Sequence, residues 1–423
     1  MKENKRAVWS WAFYDWGNSA YSTTVMAGFF PLFFKEYWAD PHNPNQSTFY
    51  LGMANSIASI VVASLAPLLG SIADQGSAKK KFLIFFAFLG VIMTGGLWMV
   101  SKGNWQMAVL FYVIATIGFA SGNVFYDSLL PGLASEERVD IVSSLGFGLG
   151  YLGGGLLFLV NVFMYLKPEL FGISDGSMAI KLSFLSVAVW WAVFTIPLIL
   201  FVPEPKNYDA VDIKNAIQMG WIQLIQTFDE IRNMKVVGTF LLAYFFYIDG
   251  VDTIIKMAVD YGMSLNFSGE SLIIALLIVQ FVAFPAALIY GQLASKVGIK
   301  TAIMIGIIAY SFITFLGYFI TKAWHFYVLA ILIGLFQGGI QALSRSLYTR
   351  IIPVEKSAEF FGFYNMLGKF AAIIGPALMG TISLVTGSAR LGILSILLLF
   401  ILGAFFLNKV DLDEGKRLAA DGL

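Results

Sequence analysis

Long unbroken apolar runs, each closed by a short charged or turn-rich break, set the rhythm of this chain. They predict twelve membrane-spanning helices, at residues 7–34, 50–72, 81–100, 105–130, 141–165, 181–202, 236–257, 271–293, 300–320, 324–347, 359–386 and 390–408. The runs are far longer than the ten-residue alternating segments of a membrane barrel, so the fold class is all-α. One long hydrophilic stretch interrupts them, from Pro203 to Lys235. Within it Ile213, Ile217, Trp221, Leu224, Phe228 and Ile231 recur at steps of three and four. That spacing predicts an amphipathic helix lying on the bilayer surface or against the ends of the spans, with a spacer role favoured over a binding one. The expected organisation is a first six-helix bundle (1–202), a linker (203–235), a second six-helix bundle (236–408) and a short tail (409–423).

Polar residues inside the apolar runs carry the next layer of information. In the first span, Asp15, Asn18, Ser19 and Ser22 stand at i, i+3, i+4 and i+7, one stripe down one helical face. Asp15 lies nine residues past Arg6, which at ~1.5 Å per residue is ~13 Å into an apolar layer ~30 Å thick. A carboxylate at that depth is costly, so it is expected to face a cavity or a partner and not lipid.

The stripe is repeated. A shift of 234 carries Asp15 onto Asp249, Asn18 onto Asp252, Ser19 onto Thr253 and Trp11 onto Phe245. A shift of 221 carries Gly70-Ser71-Ile72-Ala73-Asp74 onto Gly291-Gln292-Leu293-Ala294-Ser295, and the loop after the first span can absorb the difference. Two six-helix sets duplicated in parallel, with a binding site at their interface, is a transporter plan.

Composition sharpens this picture. Apolar residues make up 58% of the chain and charged residues 13%, with a mean hydropathy of +0.77, values outside the range of a soluble domain. A net charge of +1 points to no particular partner, and the absence of cysteine removes disulfides and thiolate chemistry. With the N-terminus inside, nineteen Lys and Arg fall in cytoplasmic segments or at cytoplasmic span ends against seven outside, and Lys369 alone lies deep within a span. Both termini are therefore expected in the cytoplasm, with the first span retained in the membrane and not cleaved as a signal peptide. His42 and His325 form no local metal motif. No phosphate loop, dinucleotide fingerprint or metalloprotease box is present, so neither a cofactor nor an enzyme activity is expected.

Gly70-Ser71-Ile72-Ala73-Asp74-Gln75-Gly76, followed by Lys79-Lys80-Lys81, resembles the signature loop between the second and third helices of the major facilitator superfamily, with Gln75 in place of the usual basic residue. The resemblance implies the major facilitator fold, twelve transmembrane helices in two pseudo-symmetric bundles, and a role for Asp74 in locking the outward-facing state. Within that superfamily the chain is similar to the autophagy-related vacuolar amino-acid effluxers and their bacterial relatives. Tyr14-Asp15-Trp16-Gly17-Asn18, Asp249-Gly250-Val251-Asp252 and the run from Gln341 and Arg345 through Tyr364-Asn365 to Lys369 and Gly375-Pro376 carry this similarity.

Among candidate site residues Asp15 stands first, as a proton- or substrate-coupling acid, against a plain helix–helix hydrogen bond. Asp252 and Lys256 are spaced for an i, i+4 ion pair, which leaves Asp249 as the better coupling candidate in the seventh span. Lys369 lies near mid-membrane one turn past Asn365. It is expected to pair with Asp15 or Asp249 across a cavity, or to bind a substrate carboxylate. Trp11, Tyr14 and Tyr247 could stack on a substrate, and Gln337 and Gln341 could hydrogen-bond either substrate or a neighbouring helix. Asp127, near the cytoplasmic end of the fourth span, suits a gate more than a central site, with Arg345 as its partner. The glycines of the fifth span (Gly146, Gly148, Gly150, Gly153, Gly154, Gly155) suit close helix packing.

These features predict a monomeric secondary transporter in the cell membrane that moves a small polar solute by alternating access. Proton coupling is expected, amino-acid efflux is what the resemblance implies, and there is no nucleic-acid partner. The alternatives are a drug or lipophile exporter and a non-transporting receptor or scaffold that uses the linker for docking.

Overall fold

The computed structural model describes residues 4–39, 44–204, 222, 226, 234–265 and 267–420; the expected amphipathic helix of the linker and His42 lie outside them. Twelve helical spans run through the described residues. The first is continuous from Lys5 to Trp38: α1 (Lys5–Ala20), whose N-terminal amides Asn4 caps, runs on through a π-helical stretch (Tyr21–Phe29), one α turn (Phe30–Phe33) and a second π stretch (Phe34–Trp38). It is thus longer at both ends than the 7–34 expected. The other eleven are each long and apolar enough to cross a membrane. In the first half these are α2 (Pro44–Gln75), α3 (Lys79–Gly96), α4 (Trp105–Ser128), α5 (Val139–Leu166) and α6 (Gly176–Phe201). In the second half they are α7 (Lys235–Ser264), α8 (Gly269–Val297), α9 (Ile299–Gly317), α10 (Ala323–Ile351), α11 (Ser357–Thr386) and α12 (Ala389–Ser395 continued by Leu397–Asn408).

Local chemistry starts and stops these helices. The side chains of Asn104, Asp175, Ser268 and Ser388 accept first-turn amides of α4, α6, α8 and α12. Glu204 accepts the Lys80 amide at the start of α3 (3.1 Å), where a carboxylate also complements the helix dipole. Gly387 ends α11 at φ 66°, in the left-handed region open to glycine. The tail is not loose: α13 (Leu412–Ala420) docks on α10 and α7. Its Lys416 reaches Glu136 of the first half at 2.5 Å.

Two cores form. One gathers Ala7 to Val202 around Trp11, Tyr14, Trp38 and Trp191; the other gathers Met234 to Val410 around Tyr247, Tyr310 and Tyr348. The two halves meet along α2–α11, α5–α8 and α5–α10. These seams depend on residues without side chains. A Cβ at Gly70 would lie 2.3 Å from the Ala358 carbonyl oxygen, and one at Gly362 would lie 2.6 Å from Pro67 Cα.

Candidate functional site

Between the halves lies a cavity of about 190 Å³. From the first half Asp15, Asn123, Tyr126, Asp127 and Phe147 line it. From the second come Asp252 and Tyr244 on α7, Gln341 and Arg345 on α10, and Asn365 and Lys369 on α11.

Asp15 is fixed by two hydroxyl donors, Ser19 Oγ to Oδ1 (3.1 Å) and Tyr126 Oη to Oδ2 (3.3 Å). α5 presses against this face. A Cβ at Gly150 would sit 2.6 Å from Ser19 Oγ and 3.0 Å from Asp15 Oδ1, and one at Gly153 would sit 2.5 Å from the Trp16 carbonyl oxygen. The glycines of α5 thus let α1 approach close enough to hold the acid on the cavity wall. The other members of the stripe point elsewhere. Asn18 is buried and donates to Asn123 Oδ1 (2.6 Å), and Ser22 bonds back to the Ser19 carbonyl (2.9 Å).

The expectation for the repeated stripe needs correcting. Asp249 does not reach the cavity. It is fully buried, and its Oδ1 accepts the Gly375 amide of α11 (2.9 Å) and the Thr253 hydroxyl (3.3 Å). Asp252 lines the cavity instead, and the expected Asp252–Lys256 ion pair does not form. Lys369 makes no ion pair within 4.0 Å with Asp15, Asp249 or any other described carboxylate. Three charged groups, Asp15, Asp252 and Lys369, therefore share one cavity without pairing.

The expected stacking residues are also corrected. Trp11 and Tyr14 are fully buried beneath Tyr126: Trp11 stacks on its ring at 4.3 Å and donates to its carbonyl (2.9 Å). Tyr247 is spent on Ser344 Oγ (2.6 Å). Gln341 faces the cavity and accepts the Tyr151 hydroxyl across the halves (2.7 Å), whereas Gln337 does not line it. Asn365 does, donating to the Phe361 carbonyl (3.0 Å).

Asp127, placed by sequence at a helix end, contributes to the cavity floor, where its Oδ1 meets Arg345 Nη1 at 2.9 Å. Below it, toward the face that carries both chain ends, further ties join the halves. Asp140 accepts Arg350 Nη2 (2.9 Å) and the Ser346 hydroxyl. Asp74 pairs with Lys79 (2.7 Å) and accepts the Ala358 and Glu359 amides (3.3 and 2.9 Å) at the start of α11. Lys79 also donates to Ser357 Oγ (2.6 Å), which in turn donates to the Ser128 carbonyl (3.0 Å). The molecule is closed at the chain-end face.

The family model for vacuole effluxer Atg22-like proteins matches residues 42–420. The chain belongs to the Atg22-like family. It is 41% identical over 412 residues to an uncharacterized MFS-type transporter, YxiO, of Bacillus subtilis, across 97% of this chain and 96% of that one. Autophagy-related protein 22 of Saccharomyces cerevisiae is 27% identical over 416 residues, covering 86% of this chain and 77% of the yeast protein. Among solved structures the proton:xylose symporter XylE superposes with a TM-score of 0.73 at 16% identity (98% and 97% covered), and FucP in its outward conformation with 0.70 at 11% (96% and 98%). At such identities the likeness concerns fold alone, and the fold is that of the major facilitator superfamily. This Atg22-like protein is a multi-pass membrane protein and a secondary transporter, not an enzyme.

Proposed function

We propose that this Atg22-like protein moves a small zwitterionic solute across the cell membrane, coupled to protons, by rocking its two six-helix halves about the central cavity. One observation carries the reading: Asp15, Asp252 and Lys369 line that cavity with no ion pair among them. Unpaired charges at membrane depth are expensive unless something bound there compensates them. A solute carboxylate set against Lys369 and a solute ammonium set against one acid would satisfy both, and a proton on the second acid would balance the rest. A volume near 190 Å³ with a largely polar and charged lining suits a small polar solute. Amino acids and the export direction come from the family resemblance. With both termini in the cytoplasm, as the basic residues favour, the closed chain-end face makes this an outward-facing state.

Reconstituted liposomes test the reading. Asp15→Asn, Asp252→Asn and Lys369→Gln, each inserted normally, are expected to lower pH-gradient-driven amino-acid flux at least tenfold. Wild-type flux in all three would rule out this site.

A further inference from the structure

Arg345 is almost wholly buried, yet only its own helix belongs to the second half. Everything that grips its guanidinium comes from the first. Asp127 accepts Nη1 (2.9 Å), the Ser143 hydroxyl accepts Nε (2.9 Å) and the Ser143 carbonyl accepts Nη2 (2.8 Å). The rings of Phe147, Trp11 and Tyr126 stand 4.4, 4.9 and 5.4 Å from the guanidinium carbon. A carboxylate, a hydroxyl and carbonyl from one residue, and three aromatic rings form a receptor for a planar cation. The first half builds that receptor alone, and Asp127, Tyr126 and Phe147 open it onto the central cavity.

Rocking the halves apart at the chain-end face must withdraw α10, and Arg345 with it. The cage then keeps its shape, because Trp11 and Tyr126 are stacked on each other within one half and the Trp11 indole is bonded to the Tyr126 carbonyl. It loses its cation, however, and no other described basic side chain pairs with Asp127. We infer that the vacated cage is a binding site for a guanidinium-bearing solute, and that Arg345 is the built-in competitor for it. Solute and Arg345 cannot both occupy the cage. Cation binding therefore holds the chain-end face open, and cation release lets Arg345 return and close it. This rests on the proposed rocking of the halves, but the site itself can be examined without transport.

The test uses the full chain in lipid nanodiscs with methylguanidinium as probe and methylurea as its neutral isostere. Arg345→Ala removes the competitor and is expected to bind methylguanidinium at least tenfold more tightly than wild type. The probe should also raise the melting temperature of this variant more than that of wild type, and methylurea should do neither. Adding Asp127→Asn should abolish the gain. In the unaltered protein, where folding is not in question, arginine should bind at least tenfold more tightly than citrulline, which keeps the shape but lacks the charge. Equal binding of arginine and citrulline, or no gain in Arg345→Ala, would overturn the inference. Because these are binding measurements, they can fail while amino-acid flux still depends on Asp15, Asp252 and Lys369, and they can succeed where it does not.

Discussion

Side chains that are absent matter as much here as those that are present. Gly153 stands where a Cβ would press on the Trp16 backbone and indole at 2.5–2.6 Å, and backbone cannot step aside as a flexible side chain can. Gly153→Ala is expected to cost about 1–3 kcal/mol by overpacking, seen as a lower melting temperature in detergent. Because α1 carries Asp15, solute binding should weaken with it. Asp249 calls for a different pair of substitutions. Its Oδ1 holds the Gly375 amide and the Thr253 hydroxyl, and an asparagine oxygen can accept both. Asp249→Asn should therefore stay near wild-type stability, whereas Asp249→Ala strands a buried amide and should lose about 1–3 kcal/mol. A coupling acid would show the reverse emphasis, with Asn abolishing proton-driven flux at unchanged stability. Sequence alone could not separate the two roles. Asp249 and Asp252 are both acids in an apolar run, and only the neighbour each one meets tells them apart.

At the scale of elements, the seams between halves combine glycine contacts with helix-end electrostatics. Asp74 sits at the end of α2 and accepts two free amides at the start of α11, where the helix dipole favours a negative charge. Its second role, pairing with Lys79 at 2.7 Å, keeps the carboxylate in place. Asp74→Ala removes both, so the chain-end face should open more of the time. Spin labels at the facing ends of α2 and α11 should report a longer mean distance, and Asp74→Asn should fall between the two. The twelve spans themselves were legible as apolar runs, since backbone groups in lipid must be satisfied within each helix. The π-helical stretches of the first span were not. A 3.6-residue period cannot announce a local widening.

Over the whole molecule, the tail helix links the second half to the first through Lys416 and Glu136, so it travels with the closing of the chain-end face. The chain has no cysteine, and a Glu136→Cys, Lys416→Cys pair can be made without altering any other thiol. Bridging that pair with a reducible bifunctional thiol reagent is expected to halt solute flux and reduction to restore it, since rocking must part these two residues. Unchanged flux in the cross-linked protein would mean that the tail need not separate from the first half.

What sequence alone determined was the helical class, the number of spans, the duplication and the short roster of buried charges, because burying backbone and charge in lipid constrains local composition directly. The tertiary structure decided which of those charges meet. Asp15 and Asn18 repeat as Asp249 and Asp252, yet the cavity receives the first member of one pair and the second member of the other. Residues three apart on a helix differ by about 60° around its axis, so a modest rotation of α7 relative to α1 exchanges their roles. That rotation is set by what each helix packs on: α1 on the glycines of α5, and α7 on Gly403 and Phe400 of α12 and on the Gly375 backbone of α11. The Arg345 cage is likewise a product of packing, joining Arg345 to side chains as distant in sequence as Trp11, as are the three unpaired charges that share the cavity.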